Sequence, residues 1–183
     1  MGKALGGLGV TANAITTLSL LISCLAAIAY AMRFPLFGAL GVIGSGFVDM
    51  LDGAVARATG KTTRFGAVYD HVLDRYAEFV ILIGIGFGGF VEWYLILFCL
   101  FGMVMASFVR AKAESVGGLK TCTVGIAERQ EKLILLLAGS VLQVFFSYAL
   151  LVSVAVVGVL SHITVLQRLN YTYNQIRGLD VGI

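Results

Sequence analysis

Apolar residues come in long runs along the chain, broken by short polar joints, and six runs stand out: 13–32, 36–57, 67–90, 93–111, 131–148 and 150–169. A helix needs about 20 residues to cross about 30 Å of hydrocarbon, so each run predicts one transmembrane helix. The joints leave no stretch for a separate soluble domain. The pattern therefore predicts an all-α integral membrane protein, with one six-helix domain over 1–183.

Composition sharpens that reading. The chain is 59% hydrophobic and 13% charged, with a mean hydropathy of +0.96, well outside the range of an ordinary soluble domain. Basic residues set the orientation, because short loops rich in Lys and Arg stay on the cytoplasmic side. With a cytoplasmic amino terminus, Lys3, Lys61, Arg64, the bases of 112–132, Arg168 and Arg177 all fall on that side, and only Arg33 falls outside. Both termini are expected in the cytoplasm. A one-sided excess of charge points to anionic headgroups or phosphorylated solutes and to no nucleic-acid partner.

Lys3, the first apolar run and Ala29-Tyr30-Ala31 resemble the three regions of a signal peptide. Asn13, Thr16 and Thr17 are too polar for a cleaved apolar core, so the first helix is expected to remain. Cys24, Cys99 and Cys122 show no metal-type spacing and predict packing roles without a disulfide. Most of the 23 glycines are expected to serve close helix contacts.

One segment breaks the apolar pattern. Residues 49–74 hold four of the five aspartates. On a helix, Asp49, Asp52, Gly53, Ala56 and Arg57 share one face, and Gly66, Asp70 and Asp74 share another at i, i+4 and i+8. Four clustered carboxylates in hydrocarbon would repel one another and draw in protons unless cations held them. An all-oxygen donor set suits a hard cation such as Mg²⁺ or Mn²⁺ better than zinc. His71 stands about 100° off the stripe and is expected outside the metal shell. Salt bridges to Arg57, Arg64 and Arg75 would account for the charge, but not for the small residues kept on the same faces.

Written out, the segment is Asp49-x2-Asp52-Gly53-x2-Ala56-Arg57-x8-Gly66-x3-Asp70-x3-Asp74. It resembles the signature of the CDP-alcohol phosphotransferase family, membrane enzymes of phospholipid synthesis, with every fixed position filled. The resemblance implies a homodimer whose active site faces the cytoplasm and the bilayer. It also implies transfer of a phosphatidyl or archaetidyl group from a CDP-lipid to an acceptor hydroxyl, with release of CMP. By the same resemblance, Asp49, Asp52, Asp70 and Asp74 hold two Mg²⁺ or Mn²⁺ ions, and Asp74 is the general base. Arg57 would hold the diphosphate, with Gly53, Ala56 and Gly66 making room for cytidine. Asn13 and Thr16 resemble polar positions near the nucleotide, although Thr11-Ala12-Asn13 departs from the family's frequent Thr-Pro-Asn; a hydrogen bond between helices is the other role open to them.

A second cluster bears on the acceptor. Ser107, Arg110, Lys112, Arg129 and Arg168 lie near cytoplasmic helix ends, where bases converging on one place would bind a phosphorylated polyol. Ordinary positive-inside placement explains single bases equally well. The two segments resemble the branch that makes phosphatidylinositol phosphate or its archaeal ether-lipid counterpart, which implies inositol 1-phosphate as acceptor. Glycerol 3-phosphate would use the same bases and remains the near alternative. From a different class, a divalent-cation transporter would also place acids in the membrane, but would mirror them in both halves of the chain. Glu78 continues the acidic stripe, as an outer support for a ligand or as a partner for a neighbouring helix.

Overall fold

The computed structural model describes residues 11–59 and 63–180; the side chains of 52, 54, 56–59 and 178–180 fall outside the described set. Lys3 and Lys61, used above for orientation, lie outside it too. Six helices are present among the described residues: α1 Ala12–Ala31, α2 Pro35–Thr59, α3 Arg64–Phe87, α4 Trp93–Ser115, α5 Arg129–Leu142 and α6 Ala149–Asp180. Three of them, α1, α4 and α6, are long and apolar enough to cross a bilayer, and α2 adds a shorter apolar stretch over Pro35–Leu51. The chain is an integral membrane protein.

Local chemistry sets the helix starts. Thr11 caps α1 by accepting from the Ala14 amide at 3.3 Å, and Thr63 caps α3 by accepting from the Gly66 amide at 2.9 Å. Pro35 opens α2, where its missing amide costs nothing. Gly89 ends α3's closing turn with φ +69°, a conformation that favours glycine.

Two ranges differ most from the sequence expectation. Helix α5 stops at Leu142 after 14 residues, where a run to 148 was expected. The chain turns there through i to i+3 bonds, with Phe145 donating to Leu142 at 2.9 Å, and the Gln143 amide donates to the Ser147 carbonyl at 2.7 Å, competing with helix continuation. At about 1.5 Å per residue, α5 spans about 21 Å, less than the hydrocarbon thickness. Helix α6 instead runs 32 residues, past the expected end at 169. Its extension is held by Tyr173 and Arg177, one turn apart with the guanidinium 6.0 Å from the ring, and by the Thr172 hydroxyl donating back to Arg168.

The helices gather into two compact units, residues 1–90 with 140–147, and 91–139 with 148–183. In the first unit α1 packs on both α2 and α3. Its buried face carries Thr16, Ser19, Ser23, Ala26 and Tyr30, while Leu18, Leu21, Leu25 and Ile28 lie exposed. Small and polar residues inward with large apolar residues outward is the arrangement expected where lipid is the solvent. Close contact follows: a Cβ on Gly41 would sit 2.6 Å from the Ala26 Cβ, and one on Gly84 would sit 2.6 Å from the Ala27 Cα. Hydroxyls then tie the helices together. Ser19 donates to the Ser45 carbonyl at 2.9 Å, Thr17 and the Tyr69 hydroxyl share a bond of 3.0 Å, and Tyr30 meets Ser140 at 2.6 Å.

In the second unit α4 packs on α6. The His162 ring stacks on Phe98 at 4.4 Å, in the space left beside Gly102. The connection from α4 to α5 folds back on its own unit, with its polar groups met by side chains. Cys122 donates its amide to Glu114, Ile126 to Gln167 and Ala127 to Thr164. Such satisfaction is what an ordered, partly buried loop requires.

Candidate active site

Helix α3 brings the acids of its stripe together. One ligand atom each from Asp70, His71 and Asp74 lie within 4.8 Å of one another. Asp74 is buried, Asp70 is half-buried and His71 is exposed. The Oδ1 atoms of Asp49 and Asp70 are buried oxygens that accept no hydrogen bond, although both residues make other interactions. A set of carboxylate oxygens with one imidazole fits a divalent cation, so the residues present suit the metal that the sequence motif implies.

The inclusion of His71 departs from the sequence expectation. Helix rotation places its Cα away from the stripe, yet His71 and Asp74 are i, i+3 neighbours, and an imidazole at that spacing reaches the carboxylate. Asp49, on α2, is not in this group of three. The side chains of Asp52, Ala56 and Arg57 lie outside the described residues, so their expected roles stay open.

The mouth of the stripe is built by the α3 cap. Gly66 follows Thr63 by three residues, and a Cβ there would come 2.9 Å from Thr63 Oγ1 and 3.3 Å from Asn13 Oδ1. Asn13 therefore stands beside Gly66, across from the start of α3. Thr16 is buried and donates to the Ala12 carbonyl of its own helix at 3.1 Å. Gly53 is half-buried on α2.

Lower on α3, Arg75 pairs with Glu78 at 2.9 Å. Glu78 thus has one partner on its own helix.

The basic cluster belongs to the second unit, and the structure gives its members distinct surroundings. Arg168 is buried and donates from Nε to the Val124 carbonyl at 2.8 Å and from Nη1 to the Ala106 carbonyl at 2.6 Å. Arg110 pairs with Glu114 at 3.1 Å, and Glu114 also takes the Cys122 amide. Lys112 is exposed, with its ammonium 5.6 Å from the Phe108 ring centroid. Arg129 is half-buried at the first residue of α5, and Ser107 is half-buried on α4. Sequence reasoning missed the carbonyl contacts of Arg168, since backbone carbonyls leave no mark in a sequence.

Comparison with known proteins supplies the deciding observation. The family model described as CDP-alcohol phosphatidyltransferase matches residues 9–167. The chain belongs to the CDP-alcohol phosphatidyltransferase family.

Relatives within that family are similar over most of their length. An archaetidylinositol phosphate synthase of Pyrococcus horikoshii is 36% identical over 182 residues, covering 100% of this chain and 92% of the relative. Another from Methanothermobacter thermautotrophicus is 39% identical over 167 residues, covering 91% and 85%. A crystal structure of Mycobacterium tuberculosis phosphatidylinositol phosphate synthase with CDP-DAG bound has a TM-score of 0.85 at 32% identity, covering 94% of this chain and 91% of that one. The same mycobacterial enzyme in complex with manganese and citrate has a TM-score of 0.86, with coverage of 94% and 87%. Membership of a transferase family removes the ground for reading the intramembrane acids as a transport site.

Proposed function

We propose that this CDP-alcohol phosphatidyltransferase makes a phosphoinositide: it moves the phosphatidyl or archaetidyl group of a CDP-lipid onto inositol 1-phosphate and releases CMP. One observation carries the reading, the joining of Asp70 and Asp74 into a single donor group on α3, inside the span that the family model matches. The acceptor is supported by the names of the relatives, which are inositol phosphate lipid synthases on both the archaeal and the bacterial side.

In this reading Asp49, Asp52, Asp70 and Asp74 hold two divalent ions, Mg²⁺ or Mn²⁺, which when bound neutralise charge on the diphosphate as its anhydride bond breaks. Arg57 grips the diphosphate. Gly53, Ala56 and Gly66 leave room for the nucleotide, and Asn13, beside Gly66, is within reach of it. Asp74 accepts the proton of the inositol phosphate hydroxyl as its oxygen attacks the phosphorus nearer the lipid, because a neutral hydroxyl is a poor nucleophile until its proton has a destination. The new phosphodiester forms as the bond to CMP breaks, and no covalent enzyme intermediate is needed.

For the acceptor, Arg129, Lys112, Arg110 and Ser107 supply donors to its phosphate. Arg168, with two donors engaged by backbone carbonyls, acts chiefly by holding the loop that follows α4. The remaining features of the reading are a homodimer, six membrane crossings that include α2, α3 and α5, and a site open to the cytoplasm with both termini on that side. The one-sided bases and the outward apolar rows support this arrangement.

The acceptor test is direct. Purified protein with a CDP-lipid is offered labelled inositol 1-phosphate or labelled glycerol 3-phosphate. A labelled phosphoinositide lipid supports the reading, whereas label entering lipid only from glycerol 3-phosphate reassigns the acceptor and leaves the chemistry intact.

A further inference from the structure

We propose that Glu114 is a positioning residue for the acceptor: its carboxylate fixes the direction in which Arg110 presents its guanidinium to the phosphate of the incoming polyol. The inference rests on the proposed function, which places Arg110 among the donors to that phosphate. Two bonds carry it. Arg110 donates from Nε to Glu114 Oε1 at 3.1 Å, and the amide of Cys122 donates to the same oxygen at 3.0 Å.

An arginine has five N–H donors, one on Nε and four on the terminal nitrogens. Glu114 takes the one on Nε, and among the described residues the Arg110 guanidinium makes no other hydrogen bond. The terminal pair is left to grip phosphate oxygens two at a time. A side chain held at Nε keeps that pair pointed in one direction, so less freedom is lost when the anion arrives. The carboxylate is itself anchored. Cys122 is fully buried, and its connection also bonds to the end of α4, where Leu119 donates to the Ala113 carbonyl at 3.2 Å.

Helix stability does not account for Glu114. It is the second-to-last residue of α4, where the negative end of the helix dipole disfavours an acid. Base before acid at i, i+4 is also the weaker order of such a pair. The two side chains are 40% and 34% exposed, and an ion pair so open to water adds little to stability. A carboxylate held against the dipole, and against repulsion from an acceptor phosphate, is explained by what it does for Arg110 and not by what it adds to the helix.

The test is a double-mutant cycle on the full-length protein, reading the KM for inositol 1-phosphate, with the CDP-lipid KM and a melt in detergent alongside. Glu114→Ala should raise the KM for inositol 1-phosphate about tenfold, as loss of one well-directed charge-assisted contact does, with the CDP-lipid KM nearly unchanged. Glu114→Asp keeps the charge but falls short of Nε, so it should show the same rise, and it serves in the cycle where Glu114→Ala does not fold. Glu114→Gln keeps an oxygen that accepts both bonds and should recover most of the loss. Once Arg110→Met has removed the guanidinium, Glu114→Ala should cost little more. Losses that simply add in the double variant overturn the inference and make Glu114 a support of the loop alone, as does a melt that falls with the KM unmoved. A lowered KM in Glu114→Ala overturns it too, by showing that the carboxylate competes with the phosphate, and so does an Arg110→Met variant with an unchanged KM. Each of these leaves the proposed function standing, whereas a wild type that releases no CMP with inositol 1-phosphate overturns both.

Discussion

Arg168 donates from Nε to the carbonyl of Val124 at 2.8 Å, fastening the connection that follows α4 to the last helix. A second bond, from Nη1 to the Ala106 carbonyl, fixes the same guanidinium to α4. A planar fork presents its donors to two carbonyls on different segments in a pre-organised geometry, which a lysine ammonium on a flexible stem does not reproduce. Arg168→Met leaves two carbonyls without their donor, at about 1–3 kcal/mol for each that stays buried. The expected result is a clear fall in melting temperature and a raised KM for inositol 1-phosphate, with the KM for the CDP-lipid little changed. Arg168→Lys should recover only part of the loss. Thermal melts in detergent and initial rates check both; melting and KM values equal to wild type would show that the clamp is dispensable.

Asp74→Asn keeps the shape of the buried carboxylate but removes its basicity. Turnover should fall by about 10²–10⁴-fold, the usual worth of general acid–base catalysis, while CDP binding measured by calorimetry persists. Equal loss of binding and turnover would make Asp74 a binding residue only.

Gly66→Ala would place a methyl 2.9 Å from Thr63 Oγ1 and 3.3 Å from Asn13 Oδ1. Thr63 cannot give way without loosening the α3 cap. Overpacking of this kind costs about 1–3 kcal/mol, and every 1.4 kcal/mol is about tenfold in affinity. The CDP-lipid KM should therefore rise about tenfold, with the acceptor KM affected less. The reverse ranking would move Gly66 away from the nucleotide.

Gly84→Ala tests the helix contact that supports the site. In an isolated helix this change gains about 1 kcal/mol. Here the new methyl meets the Ala27 backbone, which cannot swing aside as a side chain can. Net destabilisation is expected in a melt, together with reduced turnover, because α1 carries Asn13 and α3 carries Asp70 and Asp74. A stabilised, fully active variant would show that α1 and α3 adjust freely.

Arg129→Ala should raise the apparent KM for inositol 1-phosphate by about tenfold or more, as loss of one charge-assisted contact does, and leave that of the CDP-lipid nearly unchanged. A larger effect on the lipid would take Arg129 out of the acceptor pocket.

Much of this was legible in the sequence, for physical reasons. Long apolar runs have to become helices in lipid, where backbone groups find no water, and all six helices are present. Spacings of three and four put Asp70 and Asp74 on one face whatever surrounds them, and the acids stand out because charge is costly in hydrocarbon. The end of α5 was harder to read, since Val144, Phe145 and Phe146 are as apolar as a helix interior and the polar mark of the turn is the Gln143 side chain. His71 stands near Asp70 and Asp74 although a helical wheel puts it off their stripe, because such a wheel plots Cα directions and ignores the reach of a side chain. The Arg110–Glu114 pair, at i, i+4 on α4, was open to sequence reading, whereas the two carbonyls taken by Arg168 depend on how α6 meets α4 and how the 116–128 connection folds back, which no local pattern encodes.

The central claim is that the aspartates work through bound divalent ions to pass a lipid phosphate to an alcohol. Its most direct test is CMP release from a CDP-lipid and inositol 1-phosphate by purified protein, before and after exhaustive chelation, and again after Mn²⁺ or Mg²⁺ is restored. The account predicts turnover that disappears on chelation and returns with the ion, and undiminished CMP release from metal-free protein would contradict it.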